Sequence, residues 1–281
     1  MNVNSPRLAI ITGAAGTLGR AFCRVIAEPG GWHIVAVDLD EAGAEKSLAE
    51  CRREGVTGQV ERIDVADAAA WASLRERLQP RWPRLDLLVN NAGMCMSAEV
   101  GDGDLALWRR VHEVNFGGVL HACQALVPWL KASAREVRGR KPAVINVASI
   151  MGLIPAPALA AYCASKAAVI SLSESMHAEL RPRGVNVTVA APGFFASGLL
   201  ESGVFAAPEH REQADEMVRT SRIDADAVAK DALRASARGE LYAVAGRRAR
   251  WYWRLKRVAP RALFGSLSRR YHTAMGGNGA G

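Results

Sequence analysis

The strongest constraint in this sequence is its rhythm. Short apolar runs rich in β-branched residues recur near residues 7–12, 32–38, 57–63, 85–90, 142–149, 185–191 and 241–245, with helix-period stretches near 17–28, 41–53, 67–79, 104–131, 159–181 and 225–238. Runs such as Leu8-Ala9-Ile10-Ile11 do not alternate apolar with polar residues, so both faces of each strand must be covered. That is the mark of a parallel sheet held between two helical layers. With right-handed crossovers the chain builds an α/β fold, a single-domain, Rossmann-like, doubly wound sheet of seven parallel strands. Ligands of such sheets lie beyond the carboxyl ends of the strands, so those ends are where chemistry is expected.

The first strand runs into Thr12-Gly13-Ala14-Ala15-Gly16-Thr17-Leu18-Gly19, and a helical pattern follows at once. Glycines there let the backbone turn tightly and approach a pyrophosphate, whose charge is met by the amides at the helix start and by the helix dipole. The second strand ends at Asp38, placed to hydrogen-bond an adenosine ribose; a carboxylate there repels a 2′-phosphate, so NAD is favoured over NADP. Asp40 suits the cap of the following helix better. Asp64-Val65 at the third strand could meet an adenine amino group, and Asn90-Asn91-Ala92-Gly93 closes the fourth strand with a turn that would border the ribose.

Tyr162 and Lys166 lie four residues apart, thirteen residues after Ser149. That spacing puts phenol and ammonium on one helical face, with Cβ atoms about 5–6 Å apart. A phenol is a poor base at neutral pH, but a cation at about 4 Å, at an effective dielectric of about 20, is worth roughly 4 kcal/mol toward ionising it. The pair can therefore make a proton-transfer site.

The net charge of +8 hints at nucleic acid only until it is located. Residues 246–281 hold nine Lys or Arg and no Asp or Glu, which leaves 27 basic and 28 acidic residues in the body. No nucleic acid is expected, since no recognition motif accompanies the charge. In this extension Trp251, Leu255 and Val258 share one helical face and Leu263, Phe264 and Leu267 repeat the pattern after Pro260, while the glycine-rich end is expected to be disordered. Basic amphipathic segments of this kind contact anionic membrane surfaces, here through 246–270, or pack on their own body or a second subunit; these alternatives stay open.

The division expected is therefore a catalytic domain over 1–245 and a basic C-terminal extension over 246–281. Within the domain, 193–222 reads as an apolar lid carrying Phe194, Phe195, Leu199, Leu200, Val204, Phe205 and Met217. Five scattered cysteines, with no C-x-x-C and no metal-ligand spacing, point to reduced thiols, a cytoplasmic setting and no metal. No export signal is read at the N-terminus and no apolar run approaches spanning length, so the expected localisation is cytoplasmic, with peripheral membrane contact through the extension as the one variation.

The Gly-rich turn, Asp64, Asn90-Asn91-Ala92-Gly93, Asn115, Ser149, Tyr162-x-x-x-Lys166 and Pro192-Gly193 stand in an order and spacing that resemble the compact subclass of the short-chain dehydrogenase/reductase family, over residues 7 to about 245. The resemblance implies an oxidoreductase. Tyr162 would act as general acid/base, with Lys166 lowering its pKa and binding the nicotinamide ribose. Ser149 would hold the substrate oxygen, and Asn115 would position a proton-relay water. Pro192-Gly193-Phe194-Phe195-Ala196-Ser197 resembles the segment that contacts the carboxamide, with Ser197 where Thr is commoner. The glycines at Gly13, Gly16 and Gly19 depart from the compact spelling, and Thr17 offers a hydroxyl toward the pyrophosphate in compensation.

Met94, Met96, Ile150, Met151, Leu153, Ile154, Pro155, Leu159 and the lid side chains make up an apolar wall in which about half are expected to be core, which implies a small hydrophobic alcohol or ketone as substrate. Relatives commonly pair subunits through the helices at 104–131 and 159–181, so a homo-oligomer, dimer or tetramer, is expected. The competing reading is a non-catalytic NAD(H)-binding redox sensor that acts on a partner through the basic tail.

Overall fold

The computed structural model describes residues 6–52, 56–136, 141–199, 203–221 and 223–274. Leu200, the Met217 side chain and the glycine-rich end lie outside them. Seven parallel strands form one sheet: β1 (Arg7–Thr12), β2 (Trp32–Asp38), β3 (Thr57–Arg62), β4 (Leu87–Asn90), β6 (Ala143–Val147), β7 (Asn186–Ala190) and β9 (Tyr242–Ala243), in the order β3-β2-β1-β4-β6-β7-β9. The order reverses between β1 and β4, which opens a crevice at their carboxyl ends. Two further short strands, β5 (Met96–Ser97) and β8 (Val204–Phe205), pair with each other above the sheet.

The non-alternating strands bury both faces. Ala9 and Ile11 of β1 face a cluster with α1 (Thr17–Ala27), α2 (Glu41–Arg52) and α9 (Ala225–Ala237), while Leu8 and Ile10 face a cluster with α3 (Ala68–Leu78), α5 (Gly118–Glu136) and α7 (Ala160–Leu180). Trp71, Trp129 and Phe22 are the largest side chains wholly removed from water. Aspartates start several helices. Asp67 accepts from the amides of Ala69 and Ala70, Asp224 from Ala227, and Asp104 from Ala106 at the start of α4 (Leu105–His112).

Two expectations need correction. The single helix anticipated over 104–131 is broken by a π turn at Glu113–Gly117 and runs on to Glu136. A π turn inserts a residue, so it shifts the face presented without disturbing the hydrophobic periodicity around it. The segment 193–222 contains β8 and a full helix, α8 (Pro208–Arg219).

The second correction concerns the tail, which forms α10 (Arg247–Val258) and α11 (Pro260–Ala274) with the expected apolar stripe partly turned outward. Trp251 and Val258 are 57% and 80% exposed, whereas Ala249 and Leu263 are buried and Tyr252, Trp253, Leu255 and Leu267 pack on the core that contains α7. Trp253 stacks against Tyr242 of β9 with ring centroids 4.9 Å apart, and the Arg257 guanidinium lies 4.7 Å from the Trp253 ring centre. Lys256 donates to the carbonyl of Leu153 in α6 (Ile150–Leu153). No helix among the described residues is long and apolar enough to cross a membrane.

Candidate active site

A cleft of about 1780 Å³ lies along the carboxyl ends of the strands. At one end is the Gly-rich turn. Gly13 has φ +64°, and a Cβ there would stand 2.8 Å from Asn91 Nδ2. At Gly19 a Cβ would fall 2.0 Å from the Gly13 carbonyl oxygen, so this glycine lets α1 seat against the turn and does not itself face the cleft. Gly16 has room for a side chain and lines the cleft beside Thr17 and Leu18. The start of α1 carries no side-chain cap and no acidic residue in its first turn, which leaves its amides and positive dipole toward the cleft. The Thr17 hydroxyl accepts from the Gly198 amide at 3.3 Å, which ties the turn to the segment after β7.

Asp38 lines the cleft and its carboxylate accepts from the amides of Ala15 (2.9 Å) and Asp40 (3.0 Å), so it holds the turn as well as facing the cleft. Asp40 accepts from Gly43 at 3.0 Å, the capping job expected of it. Asp64 and Val65 line the same end. Burial pushes the Asp64 carboxyl up, but the Ala66 amide and Arg110, 2.7 Å away, outweigh it and hold the group below the usual carboxylate range. Arg110 was not anticipated, since an arginine in a helical stretch carries no local signal. Asn91 donates to the carbonyls of Thr12 and Gly13, and the Thr12 hydroxyl accepts from the amides of Asn91 and Ala92. Thr12 is thus a strut between β1 and β4. Ala92, Gly93, Pro192, Gly193, Phe195 and Ser197 line the cleft farther along.

Ser149 lies just beyond β6 and caps α6, where its hydroxyl accepts from the Met151 amide at 3.1 Å. Tyr162 and Lys166 stand one turn apart on α7, with Lys166 Nζ 5.8 Å from the phenol ring centre. All three line the cleft although each is less than 9% exposed. Lys166 donates to the Val147 carbonyl at 2.9 Å, and burial brings its pKa down to about 8. Burial pushes the Tyr162 phenol up, Cys95 adds to the rise, and its hydrogen bond with Ser149 offsets only part. Gly152 lets α6 lie on the α7 backbone, for a Cβ there would come 2.7 Å from the Lys166 carbonyl carbon.

Asn115 sits in the π turn, fully buried. Its carboxamide accepts from Met94 N (2.8 Å) and donates to Met94 O (3.0 Å) and Ser165 Oγ (2.9 Å). A Cβ at Gly93 would lie 3.1 Å from Asn115 Oδ1 and 3.4 Å from Lys166 Nζ, so Gly93 keeps open a space that both groups border.

Of the apolar wall, Met94, Ile150, Met151, Ile154, Leu159, Phe194, Phe195, Leu199 and Phe205 do line the cleft. Met96 and Leu153 are core instead, and Pro155 faces solvent. The contribution of the tail was missed: Ala249, Tyr252, Leu263, Leu267, Arg270 and Tyr271 form part of the wall, a long-range juxtaposition with no local signature.

A doubly wound parallel sheet with Ser149, Tyr162 and Lys166 gathered on the cleft along its carboxyl ends defines the class of protein. The chain belongs to the short-chain dehydrogenase family, an oxidoreductase family whose sequence profile matches residues 7–204. It is 33% identical over 206 residues to the probable oxidoreductase EphD of Mycobacterium tuberculosis, covering 73% of this chain but only 34% of that protein. Cyclopentanol dehydrogenase of Comamonas testosteroni is 29% identical over 203 residues, 72% of this chain and 78% of that one. A short-chain dehydrogenase/reductase from Burkholderia phymatum, solved in complex with NAD, superposes with a TM-score of 0.82 at 25% identity, covering 92% of this chain and 95% of that one.

Proposed function

We propose that the chain transfers hydride between a nicotinamide cofactor, NAD in preference to NADP, and a small hydrophobic alcohol or ketone. The observation that carries this reading is the convergence of Ser149, Tyr162 and Lys166 on the cleft that begins at the uncapped start of α1. The residues fit a dinucleotide: Gly13 and Gly16 keep the turn bare, the α1 amides face a pyrophosphate, and Asp38 stands at the ribose with a charge that disfavours a 2′-phosphate. Asp64, Val65, Asn91, Ala92 and Gly93 would border the adenosine and the second ribose, and Pro192, Gly193, Phe195 and Ser197 the carboxamide. When bound, the cofactor supplies the hydride acceptor or donor and, in its oxidised form, a positive charge.

The chain's own groups handle the proton. Tyr162 Oη gives it to, or takes it from, the substrate oxygen, and the Ser149 hydroxyl donates to that same oxygen. The phenol, raised by burial in the free protein, needs nearby positive charge to ionise, and Lys166 is the protein's share of it. Asn115 is a positioning residue that ties the Met94 turn to Ser165 beside Lys166; a relay water between Asn115 and Lys166 would occupy the space that Gly93 leaves. A sensor has no use for a lysine buried at this cost. The lid over 193–222, a homo-oligomer pairing through α5 and α7, a cytoplasmic location and membrane contact by the outer face of 246–270 complete the proposal.

The test is a reduced-nicotinamide absorbance assay with NAD or NADH and a panel of hydrophobic secondary alcohols and ketones. Tyr162→Phe should keep NADH binding and lose nearly all turnover; unchanged rates would overturn the assignment.

A further inference from the structure

The cleft is larger than one ligand needs. Its volume of about 1780 Å³ exceeds the roughly 300–1,000 Å³ of a single small-molecule pocket, so a dinucleotide leaves space for a sizeable second molecule. Where that space lies follows from the sheet order β3-β2-β1-β4-β6-β7-β9. Asp38 and Asp64 stand at the ends of β2 and β3, toward one edge, and Ser149 stands beyond β6. The tail is fastened at the opposite edge, where Trp253 stacks on Tyr242 of β9 and Lys256 donates to Leu153 of α6.

Two connections bring the lid and the end of the tail over the catalytic side. β8 of the lid pairs with β5 through Met96–Val204 and Ser97–Phe205. Tyr271 of α11 donates to Glu99, two residues past Ser97, at 2.5 Å. Between them Ala98 forms a bridge with Leu159, three residues before Tyr162. The lining at this end is Phe205 of β8, Ala214 of α8, and Leu263 and Leu267, one turn apart on α11. The polar side chains there bond each other, with His210 Nε2 and Tyr271 Oη 3.1 Å apart. Arg270 and Glu212 also line the cleft but are exposed, which marks where it opens to water.

We propose that the lid and the tail together form a chain-binding arm, and that the substrate is an elongated apolar alcohol or ketone with its reacting oxygen near one end and its carbon chain running from Tyr162 between β8 and α11. The inference rests on the reading of the cleft as an alcohol or ketone site and adds the shape of the substrate. It makes Phe205 and Leu267 specificity-determining residues and gives the basic extension a part in choosing the substrate.

The experiment uses full-length protein and unbranched methyl ketones of about four to twelve carbons, with kcat/KM for each taken relative to butanone in the same protein. The ratio should climb about fourfold for each added methylene while carbons enter the arm, and level off once the chain reaches the mouth. Leu267→Trp, which fills the arm, should bring the plateau several carbons earlier. Leu267→Asn, close in size to leucine, should flatten the climb over the carbons that pass it. Calorimetry with the matching secondary alcohols and no cofactor gives a readout independent of turnover: affinity should follow the same dependence on length, with a negative heat-capacity change. A ratio that does not climb with length, a climb that neither Leu267 variant alters, or a preference for cyclic ketones over linear ones of equal carbon number would overturn the arm. Length-dependent binding that Leu267→Trp cuts short, without turnover of any ketone, would uphold the arm and remove the dehydrogenase reading. Turnover with no dependence on length would do the reverse.

Discussion

Lys166 shows at the scale of one residue how a reactive site opposes stability. It titrates at about 8 in the folded protein against an ordinary 10.5, because burial penalises the ammonium. With the folded value below the unfolded one, the unfolded chain binds the extra proton between the two. This group's contribution to stability therefore rises as pH climbs from about 8 to about 10.5 and is least favourable below 8. The gap corresponds to about 3 kcal/mol. Lys166→Met is expected to lose turnover yet resist denaturant better than wild type below pH 8, the difference shrinking toward pH 10.5; urea titrations across pH check this. Asp38 carries a second prediction. Because its carboxylate also holds the Ala15 amide, Asp38→Asn is the cleaner probe than alanine, since it keeps an acceptor while removing the charge. The ratio of NADPH to NADH utilisation should rise about tenfold or more, read from kcat/KM for the two cofactors.

At the scale of elements, the join between β1 and α1 depends on the absence of one carbon atom. A methyl at Gly19 would overlap the Gly13 carbonyl, so Gly19→Ala must push α1 off the turn, whereas Gly16 has space for the same change. Gly19→Ala should lower the melting temperature and weaken dinucleotide binding severely. Gly16→Ala should leave folding intact, and calorimetry with NADH titration separates the two. The π turn is the other decisive element. It places Asn115 between Met94 and Ser165, with Val111 buried before it and Val119 and Leu126 buried after it. Both flanking stretches are helical and the phase skip is a single residue, so the sequence reads as a continuous helix there.

Across the whole molecule the basic extension joins the body instead of standing apart from it. Leu263 and Ala249 belong to the same core as Val169 and Val187, and Leu267 and Tyr271 close the cleft. The outer face keeps Trp251, Val258 and Phe264 exposed among arginines, beside a body close to neutrality. Co-sedimentation with phosphatidylserine vesicles should show binding that weakens as salt is raised and drops with Trp251→Ser, while neutral vesicles bind little. Binding that ignored both salt and Trp251 would count against membrane contact by this face.

The sheet and the site residues were legible because their signals are local: continuous apolar runs, glycines at a strand-to-helix turn, a phenol and an ammonium one helical turn apart. The sequence alone thus determined the fold class, the cleft's position and the residues gathered there. Only tertiary structure decided that the tail walls the cleft, that Arg110 meets Asp64, that His210 finds Tyr271, and how far burial raises the Tyr162 phenol. Those outcomes depend on burial and on which distant surfaces touch. Desolvation is set by every neighbour a folded group acquires, and neighbours acquired across the chain leave no mark in its spacing.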